Sequence, residues 1–223
     1  MENAIQIPEK FDLVNAEYTD DLFKAAVVTA DYFPRLQLMG SNSDAVKEGL
    51  LPMGVYALIK SKDDMKELGA QIDVLICSWR LKAMQIKNDE VISIFDSKNP
   101  EFTRIKNEAT VPDSGCLCGV EFLVFVPTAK EFATFYMASK SALRLAPKVR
   151  SYINEQKRKP GAATLNIELA SNKKYKWHVS VIQDCTTPFD LPEQDIFLKA
   201  VTKFNNPPID DREVVTNTTE RAR

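Results

Sequence analysis

The chain has 223 residues, 44% of them hydrophobic, and a formal net charge of −2. That much apolar material supports a folded core and excludes wholesale disorder. No apolar run reaches the roughly 18 to 20 residues that cross a bilayer, and the overall charge does not by itself mark a nucleic-acid binder.

The opening MENAIQIPEKFDL lacks the basic-then-apolar layout of a signal peptide, so an intracellular, cytoplasmic protein is expected. Residues 1 to 34 carry seven acids against Lys10 and Lys24. Asp20-Asp21 opens a predicted short helix, DDLFKAAVV, where early acids suit the positive helix N-terminus. RLQLMG alternates like a strand, GSNSD is turn chemistry, and Ser43 can cap DAVKEG as a helical turn. GSNSDAVKEG lacks the second glycine and the Gly-Lys-Ser/Thr ending of a phosphate loop, so it reads as a turn.

From Met53 the pattern becomes β. GVYALIK predicts a short strand, SKDDMKELG a polar connection, and Gln71 to Ile86 the longest strand. Cys77, Trp79, Leu81 and Ala83 share one of its faces; Ser78, Arg80 and Lys82 share the other. Arg80 and Lys82 read either as a solvated face or as neighbours of the basic segment described below. VISIF predicts another strand. A polar stretch with one helical turn at PEFTRI follows. GVEFLVFVP and EFATFYMAS make a hairpin about Thr128-Ala129-Lys130. Proline inside a helix costs about 3 kcal/mol but is tolerated in the first turn, so Pro147 places a helix start near Ala146. That helix ends before Pro160-Gly161. ATLNIELA and YKWHVSVI predict two strands joined by the SNKK turn. A helix from Pro192 to Phe204 and a polar tail from Asp210 complete the chain.

Ten basic side chains fall between Lys140 and Lys176: Lys140, Arg144, Lys148, Arg150, Lys157, Arg158, Lys159, Lys173, Lys174 and Lys176. Only Glu155 and Glu168 oppose them. Lysines interleave with Tyr175 and Trp177 as in single-strand binders, where cations follow phosphates and rings stack on bases. Tyr175 and Trp177 also share a strand face with Val179 and Val181. Trp177 is therefore expected chiefly in the core, and Tyr175, beside the turn, chiefly at the ligand.

Motifs for chemistry are absent. His178 is the only histidine and has no nearby nucleophile or orienting acid. Asp63-Asp64 and Asp210-Asp211 sit in turn or tail contexts and read as solvated charge. Cys77, Cys116, Cys118 and Cys185 read as reduced thiols rather than zinc ligands, since Cys116 and Cys118 form C-x-C and not C-x2-C. No cofactor or metal is expected, and no enzyme activity.

The order from Met53 to Ile182, three strand regions, a helix and two strands, resembles the OB-fold. In size and in placing a helix before the last two strands the chain is similar to the single-stranded-DNA-binding proteins of bacteriophages. The resemblance implies an α+β fold. Its centre is a mainly antiparallel, strongly bent sheet, an OB-like partial barrel. One helix precedes the last two core strands, with helical elaborations at both ends. The expected layout is an acidic elaboration over 1–52, the core over 53–183, and a helix with polar tail over 184–223. Such proteins often end in an acidic, aromatic-tipped tail, from which TNTTERAR departs. The expected function is binding of single-stranded nucleic acid, with DNA as the expected form, in viral or phage replication or recombination. The expected site is Arg80 and Lys82 together with the ten cations and Tyr175. The alternative is a viral assembly protein whose acidic N-terminal region pairs with the basic face of a second copy.

Overall fold

The computed structural model describes residues 33–206, apart from 88–89, 98, 112, 139, 156–160, 173–175 and 187; residues 90–92, 96, 140–143 and 152–155 are described by backbone alone. The expected helix near Asp20 and the polar tail lie outside the described residues. The elements are β1 (Arg35–Leu38), α1 (Asp44–Lys47), β2 (Tyr56–Ile59), β3 (Met65–Gly69), β4 (Ile72–Lys87), β5 (Glu90–Asp96), α2 (Phe102–Glu108), β6 (Cys116–Val126), β7 (Glu131–Met137), α3 (Lys140–Glu155), β8 (Gly161–Ser171), β9 (Lys176–Asp184) and α4 (Gln194–Asn205). The fold is α+β.

All nine strands form one mixed sheet in the order β3-β2-β1-β7-β6-β4-β8-β9, with β5 also on β4. The hairpins β6–β7 and β8–β9 are antiparallel, and β1 meets β7 in parallel at Arg35↔Thr134. The long β4 organises the sheet. One edge pairs with β6; the other pairs with β8 over Ile72–Ile76 and with β5 over Lys82–Lys87.

The sheet is curled but not closed. Five hydrogen-bonded steps separate β1 from β9, about 24 Å in a flat sheet. Yet residues of β1 and β9 lie within 8 Å of each other. The Tyr56 hydroxyl spans from β2 to donate to the Asn166 carbonyl of β8 at 3.1 Å.

Strand alternation builds a core on each side of this sheet. Val74, Ile76, Phe122, Val124, Phe135 and Leu165 face inward with Leu145, Ala146 and Val149 of α3. Leu75, Cys77, Leu123 and Phe125 face outward under Phe197, Ala200, Val201 and Phe204 of α4. Because β4 and β6 are covered on both faces, their apolar runs are nearly continuous. Smaller clusters form where α1 covers β1–β2 and where α2 covers the far end of β4–β6.

Three sequence expectations change. Cys77 is an extra residue between the pairs Ile76↔Val124 and Ser78↔Leu123. A bulge of this kind flips the alternation, so Cys77 faces α4 while Trp79 and Leu81 face inward. The helix starts at Lys140 and carries Pro147 in its interior. Pro147 lies on the exposed side, where freed backbone groups meet water, while burial of Leu145, Ala146 and Val149 holds the helix together. The polar stretch MKELG is the strand β3. It has an exposed face and pairs with β2 at the sheet margin, so it needed no apolar pattern.

Candidate nucleic-acid interface

Arg80 and Lys82 do not join the basic segment. They flank the buried Glu121, Arg80 on Oε2 at 2.6 and 2.7 Å and Lys82 on Oε1 at 2.6 Å. Arg80 is the cross-strand partner of Glu121, so the pairing register itself brings the charges together. The second arm of Arg80 reaches the Phe204 carbonyl at 2.6 Å, and its guanidinium lies 4.4 Å from the Phe204 ring centre. Two cations on one carboxylate leave a surplus positive charge, which the negative C-terminal end of α4 complements. The Tyr136 hydroxyl donates to the Lys82 carbonyl at 3.3 Å, and burial pushes that phenol well above its usual range. This triad ties α4 to the sheet. Its face of β4 is opposite to Trp79, against which α3 packs its own arginine.

That arginine is Arg150. Its guanidinium lies 4.9 Å from the Trp79 ring centre, and its Nε is buried with no hydrogen-bond partner among the described residues. It serves the α3–β4 contact. Arg144 and Lys148 are different: both are exposed, one turn apart, while Leu145 and Val149 beside them point into the core. The amphipathic spacing therefore aims them at solvent. Of Lys140 the backbone alone is described; Lys157, Arg158, Lys159, Lys173, Lys174 and Tyr175 lie outside the described residues. Lys176, exposed, opens β9.

The hairpin that carries Lys176 extends past the end of β4. β8 pairs with β4 only as far as Leu165, whereas its pairing with β9 continues to Ser171↔Lys176. In the sequence, Asn172 to Tyr175 join the two strands. α3 lies against β9.

The faces of β9 are the reverse of those expected. The pairs Leu165↔Ile182, Ile167↔Ser180 and Leu169↔His178 continue the inner face, since Leu165, Ile167 and Ile182 belong to the inner cluster. Ser180 and His178 therefore turn inward. Trp177, Val179 and Val181 turn outward, half-buried, and join none of the four clusters described. Space explains the choice. Tyr56 reaches between the strands with its hydroxyl against Asn166 and Ser180, and burial pushes its phenol up to about 12. Gly54 comes so close to His178 that a Cβ there would sit 2.9 Å from Nε2. Gly54 also has φ of 79°, which favours glycine. A tryptophan does not fit at that seam.

Between β1, β7 and β9 the seam opens into a cleft of about 210 Å³. Its walls include Leu36, Leu38, Met137 and Leu145, with His178 and Ser180 on the β9 side. Sequence reasoning missed this site because no local pattern joins residues so distant in the chain. Glu121 was also missed, although a lone carboxylate inside the apolar run GVEFLVFV was a visible signal.

The cysteines are dispersed. Cys77 and Cys185 lie under α4, and Cys116 lies beneath α2 beside Glu108, at 3.3 Å from Oε2. Burial raises the thiol pKa of Cys77, Cys116 and Cys118, and the Glu108 contact raises Cys116 further. No group of three His, Cys, Asp or Glu side chains among the described residues converges as a metal site. Nor is any described helix long and apolar enough to cross a membrane.

Comparison of the chain with protein-family models, with curated proteins and with solved structures finds no match in any of the three.

Proposed function

We propose that this protein binds single-stranded nucleic acid, DNA in the setting of viral or phage replication or recombination, without catalysing a reaction on it. The observation that carries the reading is the β8–β9 hairpin, paired past the reach of β4 as far as Ser171↔Lys176 and lying against a helix with Arg144 and Lys148 exposed; in the sequence, Lys173, Lys174 and Tyr175 join its two strands.

The connectivity supports it. β4, β6 and β7 form a meander, α3 follows, and β8 returns to the free edge of β4 before β9. We read this as an OB-like core with β1–β3 and α4 added to it. In OB-folds the second and third strands and the loops between strands one and two and between four and five bind oligonucleotides. The β8–β9 turn stands in the second of those loops. Here α4 covers part of the outer face of β6 and β7, which moves the contact towards the turn and α3. Cations there track phosphates, and Tyr175 supplies a ring for stacking.

Photo-crosslinking tests the placement. An oligonucleotide bearing a photoreactive pyrimidine should label the peptide containing Asn172 to Trp177. Labelling confined to the surface of α2, or none under conditions where the protein is folded, refutes the proposed interface.

A further inference from the structure

We infer that the cleft at the β1–β9 seam is a subsite for one unstacked base of the bound strand. The inference rests on the nucleic-acid reading and adds to it a pocket away from the hairpin turn.

Size is the first argument. A cleft of about 210 Å³ is smaller than the roughly 300 to 1,000 Å³ of drug-sized ligand pockets, and suits a single planar ring. Chemistry is the second. Leu36, Leu38, Met137 and Leu145 offer apolar walls to the faces of a ring. His178 turns its Nε2 end towards Gly54, which leaves Nδ1, a donor or an acceptor according to tautomer when the ring is neutral, to meet a base edge. Its close approach to Gly54 restricts how the imidazole can turn, so the edge it presents is set in advance.

Position is the third. Lys176 is exposed and two residues before His178, so alternation puts both on one face about 6.6 Å apart along the strand. A phosphate on Lys176 would leave its neighbouring base at the cleft mouth. Two exposed apolar side chains sit close to His178 in the fold: Leu169, its cross-strand partner, and Met53, next to Gly54, 60% and 52% exposed. Exposed apolar side chains near a concave site with polar groups inside suit an unstacked base.

Because His178 is the only histidine, its imidazole protons give a single NMR probe. The experiment titrates the full-length protein with a short oligothymidine and with an abasic strand of equal phosphate count. The intact strand should move the His178 signals, the abasic strand should leave them nearly still, and the intact strand should bind roughly five- to a hundred-fold more tightly. Gly40→Phe provides the block. Gly40 lines the cleft, and a Cβ there meets nothing within 4 Å, so bulk enters without displacing the core. This variant should lose most of the intact-over-abasic preference and bind the abasic strand as before. His178→Ala should reduce the preference also. Binding of the intact strand with unmoved His178 signals, or an unchanged preference in both variants, overturns the subsite while leaving the nucleic-acid reading standing. If neither strand binds the native protein, that reading falls and the subsite with it.

Discussion

Glu121→Ala is expected to lower the free energy of unfolding by about 3–5 kcal/mol, the usual consequence of removing one partner from a buried charge network. Glu121 is 2% exposed and is the one carboxylate shared by Arg80 and Lys82. Without it two half-buried cations face each other on adjacent turns of the strand pleat. Arg80 would retain the Phe204 carbonyl and ring, so the loss should fall on the sheet more than on the α4 contact itself. Urea unfolding measures this, as a midpoint shift with little change in slope. Replacing Arg80, Lys82 and Glu121 together by apolar residues of similar size should recover much of the loss, since a buried network replaced whole is often neutral or better. A single Glu121→Ala variant as stable as the native protein would mean that water reaches the triad freely.

The second large effect is on binding. Lys173, Lys174 and Lys176 changed together to Ala should flatten the dependence of log K on log salt by about 2, since each phosphate contact on a single strand contributes roughly 0.7. The loss should be equal on all sequences, because phosphates carry no base information. Lys176 is exposed, so its replacement should leave the urea midpoint in place. An unchanged salt slope would reduce the turn to solvated charge. The comparison variant is Arg144→Ala with Lys148→Ala, which reports whether α3 shares the contact.

Much of the fold was legible because local patterns were strong. The β6–β7 hairpin announced itself by two Val- and Phe-rich arms around Thr128-Ala129-Lys130, and Lys130 does adopt a positive φ of 55° there. The four-residue β2 was likewise readable as the short run GVYALIK, and the C-terminal helix from the Pro-rich stop after Asn206. What failed was non-local. Period-two alternation offers two faces, and only the neighbouring strands decide which is buried. At β9 the decision rests on Tyr56 and Gly54, more than 120 residues upstream of His178, so the apolar set of Trp177, Val179 and Val181 looked like core and is not. The bulge at Cys77 is similarly invisible until β6 supplies the register.

The candidate site was legible in charge and only partly in geometry. Composition could place ten cations in one segment. It could not separate Arg144 and Lys148, which reach solvent, from Arg150, which stacks on Trp79. Nor could alternation distinguish a solvated Arg80 and Lys82 from a pair held by Glu121, because Glu121 lies on a strand some forty residues later. The cleft required the whole sheet to curl before β1, β7 and β9 met.

A protein of the proposed kind prefers single strands to duplex and holds them by phosphate contacts. The most direct measurement is equilibrium titration of a labelled single-stranded oligonucleotide at several salt concentrations, with unlabelled duplex of the same sequence as competitor. A single-strand binder should show saturable binding, a linear fall of log K with log salt, and poor displacement by duplex. Absence of binding at low salt, or displacement by duplex as efficient as by the single strand, would contradict it.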